Sequence, residues 1–348
     1  MVGLEKPLLS VLAGNPVWPP PIWLMRQAGR YLPEYRELRA KVPDFVALCV
    51  DSAKAAEVTL QPIRRFQFDA AILFSDILIL PWALGHGLQF KQGEGPVLPQ
   101  LREARQLAAL DLKGVMTRVQ PIAETVRRVR AGLKSEGFAA TSLIGFAGSP
   151  FTVACYMIEG GGSRDFAAVR EMAYADPGLF TALMEVLVEA TVVYLNEQVA
   201  AGAEALMLFD SWAGVLSPSL FRKHVIEPTT QIVKRLRAVH PTIPIIGFPR
   251  LAGLMISPYA AETGVQAVAT DTGMDILTAS SLVGSRMPLQ GNLDPMALVA
   301  GGKALHVEAA TILHGMRGKP HVFNLGHGIV PQTPVEHVAA LVDQVRAA

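Results

Sequence analysis

The chain has 348 residues, with 31 lysines and arginines against 30 aspartates and glutamates, for a formal net charge of +1. With 51% apolar residues, 18% charged and a mean hydropathy of +0.32, it has material for one large core and no general basic face for a nucleic acid or a membrane surface. Its two cysteines, Cys49 and Cys155, each lie in an apolar segment; they form neither a disulfide framework nor a metal cage and fit a reducing cytoplasm.

In chain order, MVGLEKPLLSVLAGNP interrupts its apolar stretch with Glu5, Lys6 and Pro7, unlike a signal peptide. PIWLMR (21–26) reads as the first buried strand. It runs straight into Arg26, Gln27, Ala28, Gly29 and Arg30, two fixed cations four residues apart. DAAILFSD (69–76) is the second strand and ends on Asp76. With the following ILILPWALG it is the most apolar window, but Asp76 and Pro81 leave it short of the ~20 clean residues of a membrane span. The Gly- and Pro-rich loop 81–100 is expected to cover one end of the fold, and 115–136 is a helix with its charges on one side.

TSLIGFAG (141–148) is the third strand, followed by FTVACYMIEGGG with Tyr156. EGGGSRDF (159–166) lacks the Lys-Ser/Thr of a phosphate loop and reads as a flexible turn, with Ser163 capping the next helix. The helix predicted over 178–202 turns Glu185, Glu189 and Glu197 outward and Leu183, Val186 and Leu187 inward. Five more apolar runs follow: EALMLFDS (204–211), IPIIGFPR (243–250), VQAVATD (265–271), MPLQGN (287–292) and HVFNLGHG (321–328). The C-terminal TPVEHVAALVDQVRAA opens with Thr333 and Glu336, the spacing of a capping box.

The eight runs lack polar alternation, as parallel strands buried on both faces do. Each is followed by at least one helix. The expectation is an α/β fold: a (β/α)8 TIM barrel forming one domain over 1–348, with extra N-terminal helices and loops. Active sites of that fold lie at the C-terminal strand ends. The first polar residues there are Arg26, Asp76, Ser149, Asp210 with Ser211, Arg250, Asp271, Asn292 with Asp294, and His327. Strands one, two and eight are neighbours in a closed barrel, so Arg26, Asp76 and His327 are expected to converge. That set suits an anionic ligand that also carries N–H donors.

Plainer readings stand beside these. Arg26 and Arg30 pair with Glu34 and Glu37 on a surface helix, although such pairs contribute only ~0.3–0.5 kcal/mol. Asp76 is a strand-end turn residue, His327 a turn residue between Gly326 and Gly328, and Tyr156 a core residue. Ser211 is a small strand-end hydroxyl, while Ser149 and Asp210 are structural. No His-x-x-x-His or Cys-x-x-Cys pair supports a zinc site. There is no Gly-x-Gly-x-x-Gly after a strand and no Gly-x-Ser-x-Gly elbow.

PIWLMRQAGRYLPEYRELR (21–39) and GFAGSPFTVACYMIEGG (145–161) resemble the two signature stretches of the uroporphyrinogen decarboxylase family. FSDIL (74–78), FDSWAG (209–214), LQGNLDP (289–295) and NLGHGI (324–329) support the likeness, which runs from about residue 6 to the C-terminus. The resemblance implies a (β/α)8 barrel working as a cytoplasmic homodimer without metal or organic cofactor. The implied activity removes carbon dioxide from the four acetate side chains of uroporphyrinogen III, giving coproporphyrinogen III. By motif, Arg26, Gln27, Ala28, Gly29 and Arg30 form the substrate-binding loop, and Asp76 meets the pyrrole N–H groups. Tyr156, Ser211 and His327 hold side-chain carboxylates. Phe248-Pro249-Arg250 and Trp212 depart from the usual pattern. The rival readings are a zinc- and corrinoid-linked methyltransferase, a non-catalytic tetrapyrrole-binding barrel, and a phosphate-binding barrel using Gly291, Gly326 and Gly328.

Such a decarboxylation needs an electron sink, which the substrate supplies when a ring carbon is protonated and the pyrrole becomes cationic. Asp76 is then expected to stabilise that cation, with Arg26 and Arg30 as forks for the carboxylates. The proton donor stays unassigned.

Overall fold

The computed structural model describes residues 6–42, 44–91 and 95–348; positions 92–94 of the 81–100 loop and the start of the N-terminal stretch lie outside the described residues. The first strand, β1 (Ala70–Ile72), precedes a small antiparallel hairpin of β2 (Gln89–Lys91) and β3 (Gly95–Val97). Then come β4 (Ser142–Gly148), β5 (Ala205–Asp210), β6 (Ile245–Pro249), β7 (Ala267–Ala269), β8 (Leu289–Leu293) and β9 (His321–Leu325). Seven of these form one parallel sheet in the order β1-β4-β5-β6-β7-β8-β9. Helices fill the connections between its strands, and every residue of β4, β6, β7, β8 and β9 is buried.

The first predicted strand, 21–26, makes only one β-bridge, Ile22 to Phe323. Prolines at 19, 20 and 21 remove the donors a longer ladder would need. Side chains complete the hydrogen bonding instead. Ile22 N–H donates to Asp69 Oδ2 at 2.8 Å, Leu24 N–H to Gln27 Oε1 at 3.1 Å and Met25 N–H to Asn324 Oδ1 at 3.0 Å. Phe323 N–H donates to the Pro21 carbonyl at 2.9 Å on one side, and Asp69 N–H to the Ile22 carbonyl at 3.0 Å on the other. Residues 21–23 therefore touch both ends of the sheet order. Trp23, fully buried, donates its indole N–H to Gln290 Oε1 at 3.1 Å, tying this segment to β8.

Helix boundaries follow local chemistry. The predicted helix 115–136 splits into Val115–Arg118 and Gln120–Ser135, joined at Val119, with Pro121 in the second helix's first turn. The helix predicted over 178–202 runs Pro177–Ala201, capped by Asp176 and stopped by Gly202 at φ +118°. It is long and apolar enough to cross a membrane by length and composition, and 56% of its most apolar stretch is buried inside the molecule. Its acidic face is engaged, with Glu189 on Arg235 at 2.7 Å and Glu197 on Gln120 at 2.8 Å. Two capping expectations fail. Pro334 takes the N-cap position of Val335–Arg346, which leaves the Thr333 hydroxyl buried without a partner instead of closing a capping box. Ser163 accepts from Phe166 N–H within the turn, while Glu159 Oε1 accepts from Ala168 and Val169 at the start of Ala167–Ala175.

Of the loop 81–100, the hairpin is anchored beside the C-terminal end of the helix Pro150–Glu159. Leu98 N–H donates to the Gly160 carbonyl and Val97 bridges Gly161.

Candidate functional site

The loop after residue 25 is held from below. Gln27, fully buried, turns its side chain inward: Nε2 donates to the Ala70 carbonyl at 3.0 Å, and its own carbonyl accepts from the Tyr31 hydroxyl at 2.8 Å. Ile329 N–H donates to the Met25 carbonyl at 2.9 Å, joining the loop to the segment after β9. This clamp fixes Arg26 in the left-handed region at φ +61°, uncommon for a residue with a side chain. Arg26 is exposed, and its aliphatic stem lies over Gly328, where a Cβ would stand 2.5 Å from Arg26 Cδ. Any larger residue at 328 would make the Arg26 side chain shift. Ala28 and Gly29 are half-buried, and Arg30 is exposed at the loop's far end, where its charge is felt by Tyr35.

Asp76 lies four residues beyond β1, partly buried, with Oδ1 accepting from Leu78 N–H at 2.8 Å. Burial pushes its carboxyl above the ordinary range, while the Leu78 N–H and the Arg26 charge pull it back. His327 is half-buried after β9. Burial first, then the charges of Arg250 and Arg26, push its pKa down to about 4, so the imidazole is neutral at pH 7. Tyr156 projects from the helix Pro150–Glu159, half-buried, its phenol pushed up mainly by burial. Asp76 and Arg26 both act on it electrostatically. The Trp212 indole lies close enough to draw it back without reaching ordinary hydrogen-bond geometry. Ser211 is half-buried in the turn after β5, next to Trp212.

The Arg26 charge thus reaches Asp76, Tyr156 and His327 at the C-terminal strand ends, and Asp76 in turn reaches Tyr156. The surface-pair reading of the arginines does not hold: Glu34 is taken by Arg65 at 2.8 and 3.0 Å, and among the described residues no ion pair joins Arg26 or Arg30 to Glu34 or Glu37.

The other strand-end residues are structural. Ser149 is fully buried and its N–H donates to the Phe209 carbonyl. Asp210 accepts from the Thr152 hydroxyl at 2.6 Å, and burial pushes its carboxyl up to about 7. Asp271 accepts from Leu251 and Gly273 N–H, Asn292 donates to the carbonyls of Asp271 and Met274, and Asp294 caps Pro295–Ala300. Two further residues line the mouth, Trp212 and Arg250, the latter already among the strand-end residues. Trp212 packs 4.5 Å from Phe166 and 6.3 Å from Tyr156 between ring centroids, and the Arg250 guanidinium sits 5.9 Å from the Trp212 centroid. The only signal for them was position, first and second after a strand. Among the described residues no group of three or more His, Cys, Asp or Glu is placed to hold a metal ion.

The family model described as uroporphyrinogen decarboxylase (URO-D) matches residues 4–348. The uroporphyrinogen decarboxylase of Acidiphilium cryptum is 58% identical over 343 residues, covering 99% of this chain and 94% of that protein. That of Granulibacter bethesdensis is 57% identical, covering 99% of each. Among solved structures, a methyltransferase from Methanosarcina mazei superposes with a TM-score of 0.76 at 19% identity, covering 100% of this chain and 99% of that one, a likeness of fold alone.

Proposed function

This chain belongs to the uroporphyrinogen decarboxylase family, and on that premise we propose how its own residues divide the work. The chain is a decarboxylase of porphyrin and heme biosynthesis acting on a tetrapyrrole. Arg26 and Arg30 grip side-chain carboxylates, because planar guanidinium forks match carboxylates and keep their charge at any working pH. Gln27, Ala28 and Gly29 shape the loop between them. Asp76 accepts the pyrrole N–H groups and stabilises the ring cation formed on protonation; its partial burial strengthens the interaction. His327, neutral, and Tyr156, protonated, act with Ser211 as hydrogen-bond donors to carboxylates rather than as charges.

The observation that carries this reading is the reach of the Arg26 charge to Asp76, Tyr156 and His327, with Arg26 lacking any carboxylate ion pair among the described residues. We read the sheet as a (β/α)8 barrel closed by residues 21–23, on the strength of their bonds to Phe323 and Asp69, with the preceding helices as additions to one domain. A cytoplasmic homodimer is part of the same proposal, and exposed Leu251 and Leu254 beside the mouth offer it apolar surface. The test is incubation with uroporphyrinogen III, then oxidation and chromatography of the porphyrins by carboxyl number. Hepta- to tetracarboxylates are expected; recovery of the octacarboxylate alone would overturn the assignment.

A further inference from the structure

Arg250 follows β6 at the mouth, half-buried, with its guanidinium over Trp212. Counting residues 21–23 as one position in the sheet, β6 stands four positions from them in either direction. Arg250 therefore faces the Arg26–Arg30 loop from the opposite wall. Two carboxylates occupy the adjoining strand ends, and neither pairs with it. Asp210 is 1% exposed and turned to Thr152; only its backbone carbonyl meets Arg250, accepting the Arg250 N–H at 3.1 Å. Asp271 is occupied by the Leu251 N–H at 2.5 Å and the Gly273 N–H at 2.8 Å. Among the described residues Arg250 forms no ion pair.

The turn presenting it is built. Leu251 is left-handed at φ +59°, Gly214 N–H donates to the Arg250 carbonyl at 3.1 Å, and a Cβ at Gly214 would collide with Leu251. Trp212 is itself wedged against Phe166 and Tyr156. The Arg250 charge also crosses the mouth, acting with Arg26 on His327. A cation drawn from bulk water without a protein anion is held at a cost that an incoming anion relieves.

We propose that Arg250, steadied on the face of Trp212, is a third carboxylate-binding cation for the tetrapyrrole, gripping a side chain on the wall opposite the Arg26–Arg30 loop. The assignment rests on the reading of the site above. Stacking on an aromatic face leaves the guanidinium edge free for a carboxylate, so one macrocycle is held at opposite rims while Asp76 addresses its nitrogens.

Steady-state kinetics on uroporphyrinogen III test this with Arg250→Gln, Arg250→Lys and Trp212→Leu. Arg250→Gln is expected to raise KM about tenfold or more, the size of one lost charge-assisted bond, with a much smaller fall in kcat. Arg250→Lys recovers part of the loss. Trp212→Leu raises KM in the wild-type background and adds little to Arg250→Gln. A KM for Arg250→Gln within about twofold of wild type would overturn the proposal. So would a fall in kcat and thermal midpoint with KM unmoved, which marks a merely structural rim. A wild-type protein that leaves uroporphyrinogen intact is a separate failure: it removes the site reading itself, and this inference with it.

Discussion

The outer flank and the mouth of the sheet treat their arginines differently. On the flank, Arg64 pairs with Glu57 at 2.7 Å and Glu136 at 2.6 Å, Arg65 with Glu34 at 2.8 Å, Arg118 with Asp111 at 2.8 Å and Arg222 with Glu262 at 2.7 Å. At the mouth, Arg26, Arg30 and Arg250 form no such pair among the described residues, while Asp76, acted on by Arg26, stays above its ordinary pKa. With a net charge of only +1, the contrast is one of placement and not of composition. Paired surface charge adds little to stability. Unpaired charge gathered around a half-buried acid is an arrangement that a polyanionic ligand with N–H donors completes.

The contrast breaks most visibly at Asp76. Asp76→Asn keeps the size and the Leu78 contact but removes the charge opposing a ring cation, so kcat is expected to fall roughly 100- to 1,000-fold with the fold intact. Near-wild-type kcat would sink the electrostatic role. The pH profile adds a sign. Because the Asp76 pKa is raised, its ionised form is lost as pH falls through a value above the usual carboxylate range. The acid limb of kcat/KM should therefore lie above that range in the wild type.

Arg26→Lys comes next. The lysine stem still fits over Gly328, but a point charge replaces a bidentate fork, and kcat/KM is expected to drop about tenfold. Equal catalytic efficiency would mean that only charge at this position matters.

Much of this is legible in the sequence. Seven of the eight apolar runs are strands because a parallel strand buried on both faces needs a continuous apolar run, which sequence displays directly. The eighth, 21–26, is apolar enough but keeps one bridge, since its hydrogen bonds go to side chains instead: Gln27 nearby, and Asp69 and Asn324 far away in sequence. Strand-end position alone suggests that Arg26, Asp76 and His327 converge, and the Arg26 charge does reach Asp76, Tyr156 and His327. The inward turn of Gln27 was not legible, because nothing local distinguishes a glutamine that grips the Ala70 carbonyl from one that faces a ligand. Arg250 on Trp212 was equally hidden: the pair is 38 positions apart in the chain and meets only through β5–β6 pairing.

Behind the mouth, Asp210 sharpens the comparison from the stability side. Its carboxyl is pushed up to about 7 by burial, with Oδ2 unpartnered. The folded chain holds a proton here that the unfolded chain releases near pH ~4, so stability from this group falls as pH rises from about 4 to 7 and then levels. Asp210→Asn retains an acceptor for the Thr152 hydroxyl, whose oxygen in turn accepts the Trp212 N–H at 3.1 Å. The variant should gain on wild type across that window and keep its lead above it. Denaturant midpoints measured from pH 4 to 8 decide; parallel curves would show that the site does not titrate there.

The smallest effect belongs to the flank. Arg65→Ala removes a bidentate pair with Glu34 whose arginine side chain is 41% exposed. Stability should change by less than about 1 kcal/mol, and KM for uroporphyrinogen should not move. Glu34 lies only four residues from Arg30, so the experiment is a close control for the loop. If Arg65→Ala raised KM, the released Glu34 carboxylate would have to be competing for the loop cations. The separation between paired flank and unpaired mouth would then depend on Arg65 keeping Glu34 occupied.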